Sequence, residues 1–319
     1  MNGKVLTAAS IASLSCLVST VWAERPDGEK PVCTFQGGAY YESNNTLYLE
    51  SVNDENAKVE ISEETKNCVN GYVNNGEFNL VVERSTKLAA NSTIVLPMNF
   101  TPKSSCIKLY DPYAFTTNDE GVWNVFASNT TSNGVAHRAL LMITDTDKKE
   151  CQDIKEIEFT ASSLQIVNEH TQAQLERQLH NPKSGANDWA LEGSYDFIRW
   201  DKGHADLGVV YGYAAKDKGK VTAGHFTKVG AGAYIPPMRA YLKYIGQAPL
   251  AKSVESIVEL PETIDVTLVE EEGTTHTARW NMATGKIVKV NGWVDLKGRK
   301  LNSKPQNKGM FIGNTNIQK

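Results

Sequence analysis

The residues best equipped for chemistry in this chain are its cysteines and histidines, together with aromatic rings scattered along strand-like segments. Cys16 lies in an uncharged run near the start, where a lipid-attachment site would want Leu in place of Ser13. The other cysteines, Cys33, Cys68, Cys106 and Cys151, form an even set in the first half of the chain. In an oxidising compartment such a set reads as two disulfides with three pairings open, and the alternative is four ordinary buried thiols. The histidines are His137, His170, His180, His204, His225 and His276. A zinc site needs three or four ligands, at least two of them close in sequence or on a rigid element. The nearest approach, Asp201-Lys202-Gly203-His204-Ala205-Asp206, reads better as a solvated turn, so no metal and no cofactor is expected.

Other reaction chemistries are also poorly supported. There is no HExxH, no G-x-S-x-G elbow, no Walker A loop and no dinucleotide-binding glycine signature opening a helix. Gly230-Ala231-Gly232-Ala233 is glycine-rich, but Pro236-Pro237 follows where a phosphate-binding helix would have to begin, so tight backbone packing beside a sheet is the better use. With 37 acidic residues, a pair of carboxylates for hydrolysis is always available and therefore uninformative. The aromatics are more suggestive. Tyr195, Trp200, Tyr211 and Tyr213 lie in or beside strand segments, where an exposed flat row would stack on sugar rings and a buried set would simply fill a core. No catalytic residue can be named, and a non-enzymatic protein is expected.

The elements that must position these residues are short and β-like. Thr46–Val52, Lys58–Ser62, Phe78–Val82, Ser92–Phe100, Val122–Ala127, Ala139–Thr144, Ile154–Phe159 and Leu164–Val167 carry apolar runs or alternation, with Asn, Gly, Ser and Asp between them. Pro97 should end the strand it interrupts or put it at an edge. The pattern returns from Trp189 to Tyr244 with more aromatic content. One stretch, Asn168–His180, is free of Gly and Pro and could form a short surface helix anchored by Leu175 and Leu179, or an irregular excursion. The fold class expected is all-β: an antiparallel sandwich-like domain rather than alternating βαβ units.

Both ends of the chain carry address-like features. Met1 to Ala23 has one lysine, Lys4, then an uncharged apolar run, with Val21 and Ala23 at the −3 and −1 positions of a cleavage site. This is the pattern of a bacterial signal peptide, and the run is shorter than the ~20 residues a spanning helix needs. With Lys4 set aside, 33 basic residues become 32 against 37 acidic ones, a net −5. Eight Lys or Arg and a single acid, Asp295, fall between Lys286 and Lys319, so residues 24–285 hold 24 basic and 36 acidic residues. An acidic body repels phosphate backbones, and no nucleic-acid partner is expected. The expected organisation is a signal peptide at 1–23, a β-rich domain at 24–245, a linker with extra strands at 246–286, and a small basic β unit at 287–319.

That last unit carries a resemblance. Asp295-Leu296-Lys297-Gly298-Arg299-Lys300-Leu301 followed by Lys308-Gly309-Met310-Phe311-Ile312 resembles the C-terminal sorting domains of type IX (Por) secretion substrates. The close, Gly313-Asn314-Thr315-Asn316-Ile317, departs from the charged turn usual in that group. Upstream, Leu207–Ala215 and Lys228–Leu242 are similar to uncharacterised Fibrobacter-type surface proteins, as is Ser92–Pro97. The resemblance covers roughly residues 78–319 and implies secretion to the outer-membrane surface or beyond, with the secretion and sorting machinery as partner. It assigns no catalytic residue. The function expected is a structural or adhesive surface protein; the alternative is a carbohydrate-binding accessory protein contacting insoluble polysaccharide or the cell envelope.

Overall fold

Alternation at period two sends successive side chains to opposite faces of a strand, so a strand with one apolar set buries that set. The segment Phe78, Leu80, Val82 does this, with exposures of 3%, 0% and 0%. Each such side chain contributes about 1.5–3 kcal/mol by leaving water. The computed structural model describes residues 28–73, 75–117, 122–129, 133–246 and 260–269, and the backbone of short strands between 279 and 318. The expected signal peptide and its cleavage site lie outside the described residues.

In chain order the first strands are β1 (Cys33–Phe35), β2 (Gly38–Tyr41), β3 (Thr46–Ser51), β4 (Glu77–Arg84), β5 (Asn91–Ile94), β6 (Asn99–Pro102), β7 (Ile107–Thr117), β8 (Trp123–Asn129) and β9 (Leu140–Thr144). They continue as β10 (Glu156–Ser162), β11 (Glu176–Leu179), β12 (Trp189–Ser194), β13 (Ile198–Trp200), β14 (Val210–Tyr213), β15 (Phe226–Lys228), β16 (Ala233–Ile235), β17 (Arg239–Tyr244) and β18 (Thr263–Val269). A six-stranded sheet has the order β1-β2-β3-β4-β10-β6, and a ten-stranded sheet the order β11-β12-β17-β14-β15-β18-β8-β7-β9-β5. Strands β13 and β16 pair separately.

The sheets are mixed, which corrects the expectation of a purely antiparallel fold. β3 and β4 run parallel, and so do β18 and β8. Parallel neighbours need a crossover rather than a hairpin. Here the crossover contains α1 (Glu63–Tyr72), so one βαβ unit is present after all. Its start is well marked in sequence: Ser62 caps the helix, its Oγ accepting from the Thr65 amide at 3.1 Å, and Glu63 and Glu64 favour the positive end of the helix dipole. Val69 anchors the helix in the core.

The stretch 168–180 is not an α-helix. Residues Thr171–Gln174 make one 3-10 turn and Glu176–Leu179 form edge strand β11, because pairing with β12 satisfies backbone groups that a two-leucine helix could not bury. Leu175 and Leu179 are nonetheless both buried. Two expected strands, Lys58–Ser62 and Leu164–Val167, are reduced to isolated bridges, one of which joins them at Ile61 and Val167. β5 ends at Ile94, ahead of Pro97, and Pro112 in the long β7 coincides with a bulge between residues 112 and 114, as expected where proline withholds a donor. Gly37 turns β1 into β2 at φ +85°, where a Cβ would collide with the Lys58 carbonyl.

The ten-stranded sheet curls on itself. The Phe115 amide of β7 donates to the His180 carbonyl just beyond β11 at 3.0 Å, and the Val95 amide just beyond β5 donates to Met238, just before β17, at 3.2 Å. Residues 263–269, in the region expected to hold a linker with extra strands, are built into this sheet between β15 and β8. Residues 31–319 group as one compact unit. Near the end of the chain, Trp293–Asp295, Lys300–Leu301, Phe311–Ile312 and Ile317–Gln318 form a small antiparallel sheet; the turns expected at Gly298 and Gly313-Asn314 lie outside the described residues. Among the described residues no helix is long and apolar enough to cross a membrane.

Candidate functional site

The four cysteines of the first half are joined. Cys33 of β1 bonds Cys68 of α1 with Cα atoms 6.1 Å apart, and Cys106 bonds Cys151 with Cα atoms 5.5 Å apart. Both separations lie in the range that disulfide geometry permits. The first ties the crossover helix to the edge of the six-stranded sheet. The second ties the residue before β7 to the 3-10 turn Lys149–Cys151. In the chain-entropy account each loop, of 35 and 45 residues' separation, is worth about 4 kcal/mol against the unfolded state.

The aromatic set does not form an exposed row. Tyr195, Trp200 and Tyr211 are 3%, 1% and 0% exposed, and Tyr213 is half-buried against Phe226. Each ring has an interior task. Tyr211 meets Trp189 edge-on at 5.3 Å and donates its hydroxyl to the Pro261 carbonyl at 2.6 Å, linking β14 to the approach of β18. Trp189 in turn stacks on Phe115 at 4.5 Å and touches Trp123 and Tyr244. Trp200 packs edge-on against Tyr241 in a satellite cluster with Val210. Burial raises the hydroxyl pKa of the three tyrosines among them, Tyr195, Tyr211 and Tyr213, so these phenols stay neutral.

One exposed aromatic ring with a stacking partner was not singled out by the sequence. Tyr234 on β16 is 49% exposed and stacks on Phe197, with ring centroids 5.4 Å apart and planes 22° from parallel. No sequence signal marks it: β13 and β16 pair with each other in a separate two-stranded ribbon, and a strand with one uncovered face leaves that face to solvent. Beside it Arg199 pairs with Glu55 and Asp201.

The histidines and the glycine run take structural places. His204 closes the turn at 201–206, accepting the Asp206 amide at 3.2 Å, and Asp206 pairs with Lys243. His137 meets the Tyr195 hydroxyl at 3.0 Å, and burial lowers its pKa. His225 lies 3.2 Å from Asp265, whose hydrogen bond raises its pKa despite partial burial. Gly230 and Gly232 do not pack tightly: nothing meets a Cβ at either, and Gly232 is a turn residue at φ +85° whose amide donates to Trp200. No group of three or more potential metal ligands occurs among the described residues. Comparison with protein-family models, with curated proteins and with solved structures gives no match.

Proposed function

We propose that this is an exported protein that acts at the cell surface or outside the cell as a structural or adhesive element. The observation that carries the reading is the pair of disulfides, Cys33–Cys68 and Cys106–Cys151, since such bonds persist where the surroundings are oxidising. The signal-like pattern of residues 1–23 and the resemblance of residues 295–312 to type IX sorting domains point the same way. A sandwich-like domain is supported by a shared core: Leu47, Leu80 and Phe159 of the six-stranded sheet belong to the same buried cluster as Leu109, Phe115 and Leu140 of the ten-stranded one. Tyr195 and Tyr211 are engaged in this core and Trp200 in a satellite cluster, which suits a scaffold.

The test is fractionation of the producing cells followed by non-reducing mass analysis. A chain found in the medium or shaved from intact cells by protease, beginning near Glu24 and with its four cysteines blocked to alkylation, supports export. An intact chain from Met1, in the cytosol with free thiols, overturns it. A second reading, carbohydrate binding, is favoured by Tyr234, exposed and stacked on half-buried Phe197, because sugar rings present apolar faces to such a surface. Retention of the protein on insoluble cellulose or xylan, lost on Tyr234→Ala, would select it.

A further inference from the structure

On β4 the inward set Phe78, Leu80, Val82 is followed at the next inward position by Arg84, which is only 6% exposed. A guanidinium thus occupies a place where the alternation calls for an apolar side chain. Its Nη1 donates to Ser92 Oγ of β5 at 3.0 Å. The same hydroxyl receives Nη1 of Arg239, the first residue of β17, which also reaches the Thr93 carbonyl at 3.2 Å. Two cations therefore converge on one neutral hydroxyl.

No carboxylate among the described residues pairs with either of them. Glu83, the neighbour of Arg84, projects by alternation to the opposite face of β4. Arg84 Nε and Nη2 and Arg239 Nε are buried and have no hydrogen-bond partner. Nε and Nη2 are the two parallel donors of a guanidinium's side-on fork, the edge that fits two oxygens of one oxyanion. Burial lowers the pKa of both groups, that of Arg239 to about 10, and the neighbouring Arg239 charge lowers that of Arg84 further. An uncompensated buried charge costs several kcal/mol, and two side by side cost more.

The surroundings hold the pair in place. Met238 takes a left-handed φ of +62°, unusual for a residue with a Cβ, directly before Arg239. The flanking backbone is fastened on several sides: the Pro237 carbonyl accepts from buried Ser51 at 2.7 Å, the Met238 amide donates to Ser194 at 2.7 Å, and Thr93 Oγ1 donates to the Ala240 carbonyl at 3.0 Å and accepts its amide at 2.9 Å. Strain that neighbouring contacts over-determine is characteristic of positions built to present a group. Arg239 is partly buried, and Arg84 almost wholly so.

We propose that Arg84, Arg239 and Ser92 form a binding site for one small, doubly charged tetrahedral oxyanion, sulfate or hydrogen phosphate, at the seam between the two sheets. A dianion neutralises both guanidiniums, whereas a monocarboxylate leaves one charge over. The burial of Arg84 excludes an oxyanion attached to a bulky polymer.

The test uses the full chain dialysed free of sulfate and phosphate, with thermal unfolding and isothermal titration against sodium sulfate, sodium phosphate, sodium acetate and sodium chloride at matched ionic strength. Sulfate or phosphate should bind with a stoichiometry of one and raise Tm saturably, by about 4 °C at a hundredfold excess over Kd, while acetate and chloride do not. The double variant Arg84→Met/Arg239→Met should fold and lose the response, and the milder Arg239→Gln should weaken Kd at least tenfold. A Tm that climbs without saturating, equally in wild type and variants, is a general salt effect and overturns the site. So does the absence of both heat and shift in the wild type, which would leave the guanidiniums merely hydrated.

Discussion

Among the described residues, two places bring a pair of arginines together, and they are finished differently. At Asp111 of β7, Arg138 lays its Nε and Nη2 fork along both carboxylate oxygens, and Arg177 of β11 adds Nη1 to one of them. At Ser92 the same fork, that of Arg84, has no hydrogen-bond partner. In the first case an internal acid supplies charge and acceptors, and the cluster ties β7 to β11 and to the loop before β9. In the second a hydroxyl supplies acceptors but no charge, so the balance has to come from outside the chain. A buried cation is informative about ligands only when its compensation is missing; when the compensation is present, it is ordinary architecture.

The contrast can be broken most severely at its frame. Replacing Cys106 and Cys151 together by Ala frees the residue that leads into β7, and should cost about 3–4 kcal/mol in guanidinium unfolding, with the Asp111 cluster loosening before the Ser92 seam in hydrogen exchange. Next in size is Asp111→Ser, which turns the compensated cluster into a copy of the uncompensated one. Because Arg138 is 43% exposed, the loss should fall somewhat below that for a fully buried pair, at about 2–3 kcal/mol in denaturant midpoint analysis. The opposite exchange, Ser92→Asp, sets a carboxylate between Arg84 and Arg239. It should stabilise by about 1–2 kcal/mol in sulfate-free buffer and abolish the sulfate response; a destabilised variant that still responds to sulfate would mean the pair needs no anion.

The smallest effect is a titratable version of the same contrast. His225 has an acid, Asp265, and its pKa is raised by that hydrogen bond; His137 has only the Tyr195 hydroxyl and burial, and its pKa is lowered. The contribution of His225 is therefore complete below its unfolded value of about 6.5 and is lost as pH rises through the higher folded value. That of His137 is complete above about 6.5 and is lost as pH falls through the lower folded value. Unfolding midpoints measured from pH 5 to 8 should show His225→Gln flattening the alkaline side of the profile and His137→Gln flattening the acid side. Identical profiles for both variants would remove the distinction.

Much of the candidate chemistry was visible as residue types but not as roles. Trp200 and Tyr211 carry rings suited to stacking on sugars, yet both end in the interior, because which face of a strand is covered depends on the layer opposite it. Tyr234 is exposed for the same reason in reverse: β16 pairs only with β13. Arg84 stood in plain view as the residue that ends an inward apolar series, but a terminal arginine on a strand usually marks the solvent edge, and only the approach of β5 and β17 encloses it.

By itself the sequence determined what depends on near neighbours along the chain. The alternating or continuous apolar runs at 46–51, 78–82 and 139–144, the break ahead of Pro97, and the capping residues Ser62, Glu63 and Glu64 all act within a few residues, where backbone geometry and side-chain pattern suffice. Tertiary structure decided whatever joins distant segments: the choice of Cys33–Cys68 and Cys106–Cys151 among three pairings, the parallel contacts of β3 with β4 and of β18 with β8, and the presence of an acid beside Arg138 and Arg177 but not beside Arg84 and Arg239. The physical reason is that local preferences are expressed over one strand or turn, whereas pairing and charge compensation are properties of surfaces that come together only when the sheets pack.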